Sequence, residues 1–135
     1  MEISDLRIRL ALLWLLLAVA TSALLVLCLL IPGVAVAGEF DGMPINEVLL
    51  STLALFFLIP MAMAFLSVSL KDSRIRWADI IAALFFAGFS IHATTSHLDG
   101  HLEKGGLALS LMEVSRIVAA ILIIWYAWKW PKPED

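Results

Sequence analysis

The chain has 135 residues, of which 62% are hydrophobic and 16% are charged, with a formal net charge of −3. This composition is typical of an integral membrane protein and excludes an ordinary soluble domain. The sequence has neither a Gly-rich phosphate loop nor the basic clusters of nucleic-acid-binding modules, so those function classes are excluded as well. Its one cysteine cannot form an intramolecular disulfide.

Four apolar segments each approach the length of about 20 residues that a membrane-spanning helix needs. The first segment is longer than the apolar region of a secretory signal peptide, which favours a retained helix over a cleaved leader. Pro, Gly and short polar stretches separate the segments, as they separate helices generally. The sequence therefore predicts a single all-α domain, residues 1–135, folded as an integral membrane antiparallel four-helix bundle. The expected spans are residues 10–31, 48–70, 77–95 and 107–130.

Two polar or helix-breaking residues inside these segments have a simple structural interpretation. Pro60 lies near the centre of the second segment, and we interpret it as a packing kink of the kind that membrane helices tolerate. Asp79 follows Trp77 at the start of the third segment. We interpret Asp79 as a charge in the first turn of that helix, where the helix dipole favours an acid.

The basic residues are concentrated at both termini and in the middle connection. Of the nine, only Lys104 lies in the first or third connection, and only Arg116 lies well inside a span, since Lys129 is at the edge of the fourth. Because cytoplasmic segments carry the excess of Lys and Arg, this distribution predicts both termini in the cytoplasm and two acidic loops outside. The seven residues assigned to the cytoplasmic side are Arg7, Arg9, Lys71, Arg74, Arg76, Lys129 and Lys132.

The fourth span contains two charged side chains, Glu113 and Arg116, one helical turn apart. An ionised group in the hydrocarbon costs roughly 3 kcal/mol unless it finds a partner, so both should face protein. At this spacing they can pair directly, either as a structural ion pair or as a site for a proton or a polar ligand. Small and polar residues recur on the same face, including Ala120. They also form a stripe on the third helix that should pack inward, made of Ala83, Ala87, Ser90, Thr94 and His97. The candidate ligand- or proton-binding residues are Glu113, Arg116, Ser110, Ser90, Thr94 and His97.

A metal site is a weaker hypothesis. His97 and His101 have the i, i+4 spacing of two ligands on one helical face, and Glu103 lies nearby in sequence. The dipeptide Asp99–Gly100, however, is a turn signal between the two histidines. No catalytic residue and no cofactor is predicted, because no nucleophile motif or haem-attachment motif is present.

Several motifs give the chain a family resemblance: GMPINEVLL, IPMAMAFLSVSLK, RWADIIA and the C-terminal IIWYAWKWP. With them, residues 14–131 resemble short bacterial four-helix membrane proteins catalogued as a domain of unknown function. The resemblance implies the same fold and a location in the bacterial inner membrane, and it implies no activity. Two positions depart from the pattern: Leu58 stands where an acid would be usual, and Arg116 stands where an apolar residue would be usual.

The function predicted from these observations is binding of a partner protein or a small ligand through the polar face around Glu113 and Arg116, without enzymatic activity. The alternative is a small transporter or proton-coupled carrier built as a homo-oligomer. A bundle of four helices leaves little room for a pore, so conduction would require more than one copy. Apart from the lipid bilayer and such a membrane-protein partner, no partner is expected.

Overall fold

A computed structural model describes residues 3–30, 47–70, 73–100 and 106–130 of the chain. These residues form four α-helices, in agreement with the predicted all-α class. The four helices contain the apolar segments that Pro, Gly and polar stretches separate in the sequence. The helices are α1 (Ile3–Leu30), α2 (Glu47–Ser69), α3 (Ser73–Gly100) and α4 (Gly106–Trp128).

Three of these helices contain segments long and apolar enough to cross a membrane. The segments are Ile3–Leu27 in α1, Ile75–Thr95 in α3 and Leu107–Trp128 in α4. In α2 the apolar segment Ala54–Ser69 is shorter than these three. The α2 helix runs through Pro60, which is buried.

Two helices begin earlier than the sequence indicated. Helix α1 begins at Ile3 rather than near residue 10, and α3 begins at Ser73 rather than at Trp77. Backbone hydrogen bonding can extend a helix through charged residues wherever those side chains reach water or an aromatic ring. The earlier start of α3 makes one interpretation wrong: Asp79 lies beyond the first turn of α3 and is fully buried.

The helices pack so that α1 lies between α2 and α4, and α3 packs most extensively against α4. Helices α1 and α4 run in opposite directions, because Arg9 near the start of α1 contacts Tyr126 near the end of α4, whereas Leu24 packs with Leu109. Helices α2 and α3 meet mainly through long side chains, including the ring of Phe56. The largest fully buried apolar residues of the core are Trp14, Phe86, Leu10, Leu17, Leu109 and Ile123.

Large apolar side chains are also exposed on all four helices. Phe65 of α2 is 70% exposed, Ile81 of α3 is 65% exposed and Leu111 of α4 is 62% exposed. Soluble monomers rarely expose apolar surface of this extent, whereas hydrocarbon solvates it without cost. The outer surface of the described helices is therefore suited to lipid.

Cationic side chains lie against aromatic rings where α1 begins and α4 ends. The Arg7 guanidinium lies 5.5 Å from the centre of the Trp130 ring, and Arg9 Nη1 donates a hydrogen bond of 3.2 Å to Tyr126 Oη. Lys129 Nζ lies 4.6 Å from the Trp125 ring centre. Such pairs of a cation and an amphipathic ring suit the boundary between hydrocarbon and headgroups.

Candidate functional site

Glu113 and Arg116 form a buried ion pair on α4. Arg116 Nη1 donates to both carboxylate oxygens of Glu113, at 2.8 Å to Oε1 and 2.9 Å to Oε2. The two side chains are 0% and 1% exposed, respectively. Long helical side chains point back toward the helix N-terminus, so a residue three positions ahead of an arginine is within its reach. The prediction that the two residues face protein and pair directly is confirmed.

The pairing with Glu113 uses one of the three guanidinium nitrogens of Arg116. A carboxylate commonly meets arginine through two parallel hydrogen bonds from two nitrogens. Here a single nitrogen serves both oxygens, and within the described part of the chain Nε and Nη2 of Arg116 are buried without a hydrogen-bond partner. Because these nitrogens can only donate, they require acceptor oxygens or nitrogens.

An aromatic ring on α3 covers one face of the same guanidinium. The Arg116 Cζ atom lies 5.9 Å from the centre of the Phe89 ring, within the range of a cation–π contact. Phe89 in turn packs against Phe56 of α2, with ring centres 4.6 Å apart. Aromatic rings of α3 and α2 therefore pack beside the arginine of α4.

Two buried serines, one on α3 and one on α4, carry further polar atoms. Ser90 follows Phe89 on α3, and Ser110 lies one turn before Glu113 on α4. Both hydroxyl oxygens are buried, and neither has a hydrogen-bond partner among the described residues. Thr94 is different, because its hydroxyl donates to the Ser90 carbonyl oxygen at 2.8 Å and is only partly buried.

The Glu113–Arg116 pair has no net formal charge, but it presents unsatisfied donors in a buried setting. An unsatisfied buried polar group costs about 1–3 kcal/mol, and more when it is charged. The arrangement can therefore bind a group that supplies acceptor oxygens to Arg116. The neutral pair would not compensate a full additional negative charge, which favours an uncharged ligand.

A second buried polar cluster joins α1, α2 and α3 around Asp79. Asp79 Oδ1 accepts a 2.8 Å hydrogen bond from Trp14 Nε1 and lies 3.2 Å from Ser67 Oγ. All three residues are fully buried. Sequence reasoning missed this cluster, since it interpreted Asp79 as a charge in the first turn of a helix. The signal available was an indole N–H and a carboxyl both lying inside apolar segments, where each requires a partner.

The metal hypothesis stays a prediction. His101 and Glu103 lie outside the described residues, and the side chain of His97 does too, although its backbone belongs to α3. In the described ranges, no group of three or more His, Cys, Asp or Glu side chains is placed to hold a metal ion.

Comparison with protein families adds a match over nearly the whole chain. Residues 2–135 match the model of a family of unknown function, DUF6326. The chain belongs to this family. No curated protein and no solved structure matches it. The function of this DUF6326 member must therefore be argued from its own residues.

In this DUF6326 protein the candidate residues predicted on α4 lie together. Of those predicted on α3, Ser90 and Thr94 are joined by a hydrogen bond, and the side chain of His97 lies outside the described residues. Ser110, Glu113 and Arg116 share one buried face of α4. The two departures from the resembled pattern differ in their setting: Leu58 is exposed, and Arg116 is buried in the pair.

Proposed function

We propose that this protein spans a bacterial inner membrane with all four helices, as an antiparallel bundle whose two termini lie in the cytoplasm. Three helices meet the length requirement, and α2 packs against α1 while exposing Phe65 to the surroundings. Arg7, Arg9 and Lys129 lie at one end of the molecule, against interfacial aromatic rings. That common end fits a cytoplasmic side defined by positive charge.

We further propose that the bundle binds a small, uncharged polar ligand beside Glu113 and Arg116. The observation that carries this proposal is the buried guanidinium with two nitrogens that no described residue accepts from. A structural ion pair would be served by parallel hydrogen bonds from two nitrogens, which leave fewer donors stranded. Here Nη1 donates to the Glu113 carboxylate, and Nε and Nη2 can donate to acceptor atoms of a ligand.

The chemistry of the site limits the class of ligand. Arg116 offers donors only, so the ligand must present an acceptor oxygen such as a carbonyl. The hydroxyl groups of Ser90 and Ser110 can each donate or accept, so a neighbouring hydroxyl or amide on the ligand would also be satisfied. A small carbonyl compound that carries such a group fits these requirements best.

The test compares the wild-type protein with Arg116→Lys after purification into lipid nanodiscs. Lysine keeps the positive charge for Glu113 but removes the planar array of nitrogens. Native mass spectrometry should find a small non-lipid molecule retained by the wild type and lost from Arg116→Lys. Arg9→Lys is the matched control, because Arg9 is exposed and hydrogen-bonded to Tyr126 instead. Equal retention by the wild type and Arg116→Lys, or no retained molecule in either, would overturn the proposal.

A further inference from the structure

Asp79 differs from Glu113 in having no cationic partner among the described residues. Its carboxyl is 0% exposed, and its two hydrogen-bonding neighbours, Trp14 and Ser67, are uncharged. Asp79 precedes Phe89 by ten positions on α3, or about 15 Å along the helix axis, so the two polar clusters lie at different depths.

The charged side chains around this end of the bundle are directed elsewhere. In the described part of the chain, none of those on α1, α3 or α4 forms an ion pair with Asp79, and α2 contributes only neutral groups to the cluster. Arg7 and Arg9 of α1 lie over Trp130 and Tyr126, Arg76 of α3 lies over Trp77, and Lys129 of α4 lies over Trp125. An isolated carboxylate in a medium of low dielectric constant is costly, whereas the same group with a bound proton is not.

The contacts of Ser67 show how the cluster accommodates both protonation states. Ser67 Oγ lies 2.7 Å from the carbonyl oxygen of Met63 and 3.2 Å from Asp79 Oδ1, but a hydroxyl has one hydrogen to donate. With Asp79 ionised, the hydroxyl and the Trp14 N–H both donate to Oδ1. With Asp79 protonated, the acid donates to Ser67 Oγ, and Ser67 donates to Met63.

Asp79 also retains acceptor capacity beyond these contacts. Its Oδ2 atom is buried and has no hydrogen-bond partner among the described residues. With hydrogen-bonding neighbours on one oxygen alone and no cationic partner among the described residues, the carboxylate has little to stabilise its charge, and Oδ1 is the oxygen from which a bound proton can be donated to Ser67 Oγ.

We propose that Asp79 is a proton-binding site inside the membrane, at which the Ser67 hydroxyl turns from Asp79 to the Met63 carbonyl when the proton binds. On protonation, hydronium transfers H⁺ to a carboxylate oxygen and becomes water, an O–H bond forms, and the cluster loses one negative charge. The Trp14 indole N–H remains a donor to Oδ1 in both states and holds the carboxyl in place. This site is distinct from the ligand site proposed at Glu113 and Arg116.

Infrared titration in nanodiscs tests this assignment by following the C=O stretch of protonated carboxyl groups as the pH changes. The wild type should show a band from a buried carboxylic acid that disappears as the pH rises. Asp79→Asn should lack this band, because asparagine keeps the shape without the titrating group. Asp5→Asn should keep it, since Asp5 is an exposed acid.

Two further variants read the hydrogen bonds directly. In Trp14→Phe the ionised form loses a donor, so the titration midpoint should move to higher pH by about one unit. In Ser67→Ala the protonated acid loses its acceptor, so the band should move to higher frequency. Persistence of the band in Asp79→Asn, its loss in Asp5→Asn, or an unshifted spectrum in both Trp14→Phe and Ser67→Ala would overturn the proposal.

Discussion

At the scale of single residues, the two buried acids are stabilised in different ways. Glu113 has its counter-ion one turn away on the same helix, so the pair is built by local geometry. Asp79 depends on donors from two other helices. Removing the partner of Glu113 therefore strands a charge, whereas removing a partner of Asp79 deletes one hydrogen bond.

A double-mutant cycle on Glu113 and Arg116 measures this coupling. Glu113→Gln leaves a buried guanidinium without its carboxylate and should lower the free energy of unfolding by about 3–5 kcal/mol. Arg116→Met should cost a similar amount. The double variant should recover much of the loss, since no uncompensated charge remains. Thermal unfolding in detergent provides the measurement.

Arg9→Met supplies the control for this cycle. It also removes one guanidinium, but from an exposed site, so its effect should stay within about 1 kcal/mol. Additive losses in the cycle would contradict the ion pair. A neutral or stabilising Glu113→Gln would do the same, because that result requires a carboxyl that already carries a proton.

At the scale of elements, small residues allow α3 and α4 to approach closely. Ala83 on α3 and Ala120 on α4 are both 0% exposed, as the predicted small-residue faces require. Ser90 on α3 is fully buried as well, whereas Ala87 is only partly buried. The close approach brings Phe89 over the Arg116 guanidinium, so the packing of these two helices positions the polar site.

Enlarging a residue in this packed region should destabilise the bundle. Ala83→Leu adds volume where none is available and should cost about 1–3 kcal/mol of unfolding free energy in detergent. The matched control is Ala78→Leu, an identical change at an exposed position of the same helix. It should alter stability by less than about 0.5 kcal/mol. Equal effects of the two substitutions would show that Ala83 does not lie in a packed interface.

At the scale of the whole molecule, the cation–aromatic contacts join the start of α1 to the end of α4. Arg7 reaches Trp130, and Arg9 reaches Tyr126, across more than a hundred positions of sequence. Arg76 lies over Trp77 near the start of α3. These contacts place the cations of two helices, α1 and α3, against rings suited to the membrane boundary.

Single-cysteine labelling tests the topology proposed from this charge distribution. In a background without Cys28, Asp72→Cys should be protected from an impermeant thiol reagent in cells with a permeabilised outer membrane. His101→Cys should be labelled, since the third connection carries the acidic loop. Both positions lie outside the described residues. Labelling at 72 with protection at 101 would reverse the proposed orientation.

The sequence alone was sufficient for the features that depend on local spacing. Helix class followed from the apolar runs, and the pairing of Glu113 with Arg116 followed from their separation of three residues. The inward placement of Ala83 and Ser90 followed from helical periodicity, which sets the face of a side chain without reference to any other helix. Helices α1 and α3 both begin before the expected spans, because their backbone hydrogen bonding starts at charged residues that precede the apolar run.

The features that depend on which helices meet, and at what height, required the three-dimensional packing. Trp14 and Asp79 lie 65 positions apart, and no local pattern relates an indole on α1 to a carboxyl on α3. The contact between Phe89 on α3 and the Arg116 guanidinium on α4 likewise joins two helices, and no local pattern relates them. A hydrogen bond requires two atoms within about 3 Å. Sequence spacing determines that distance within one helix, and between helices it is determined by the packing of the side chains that separate them.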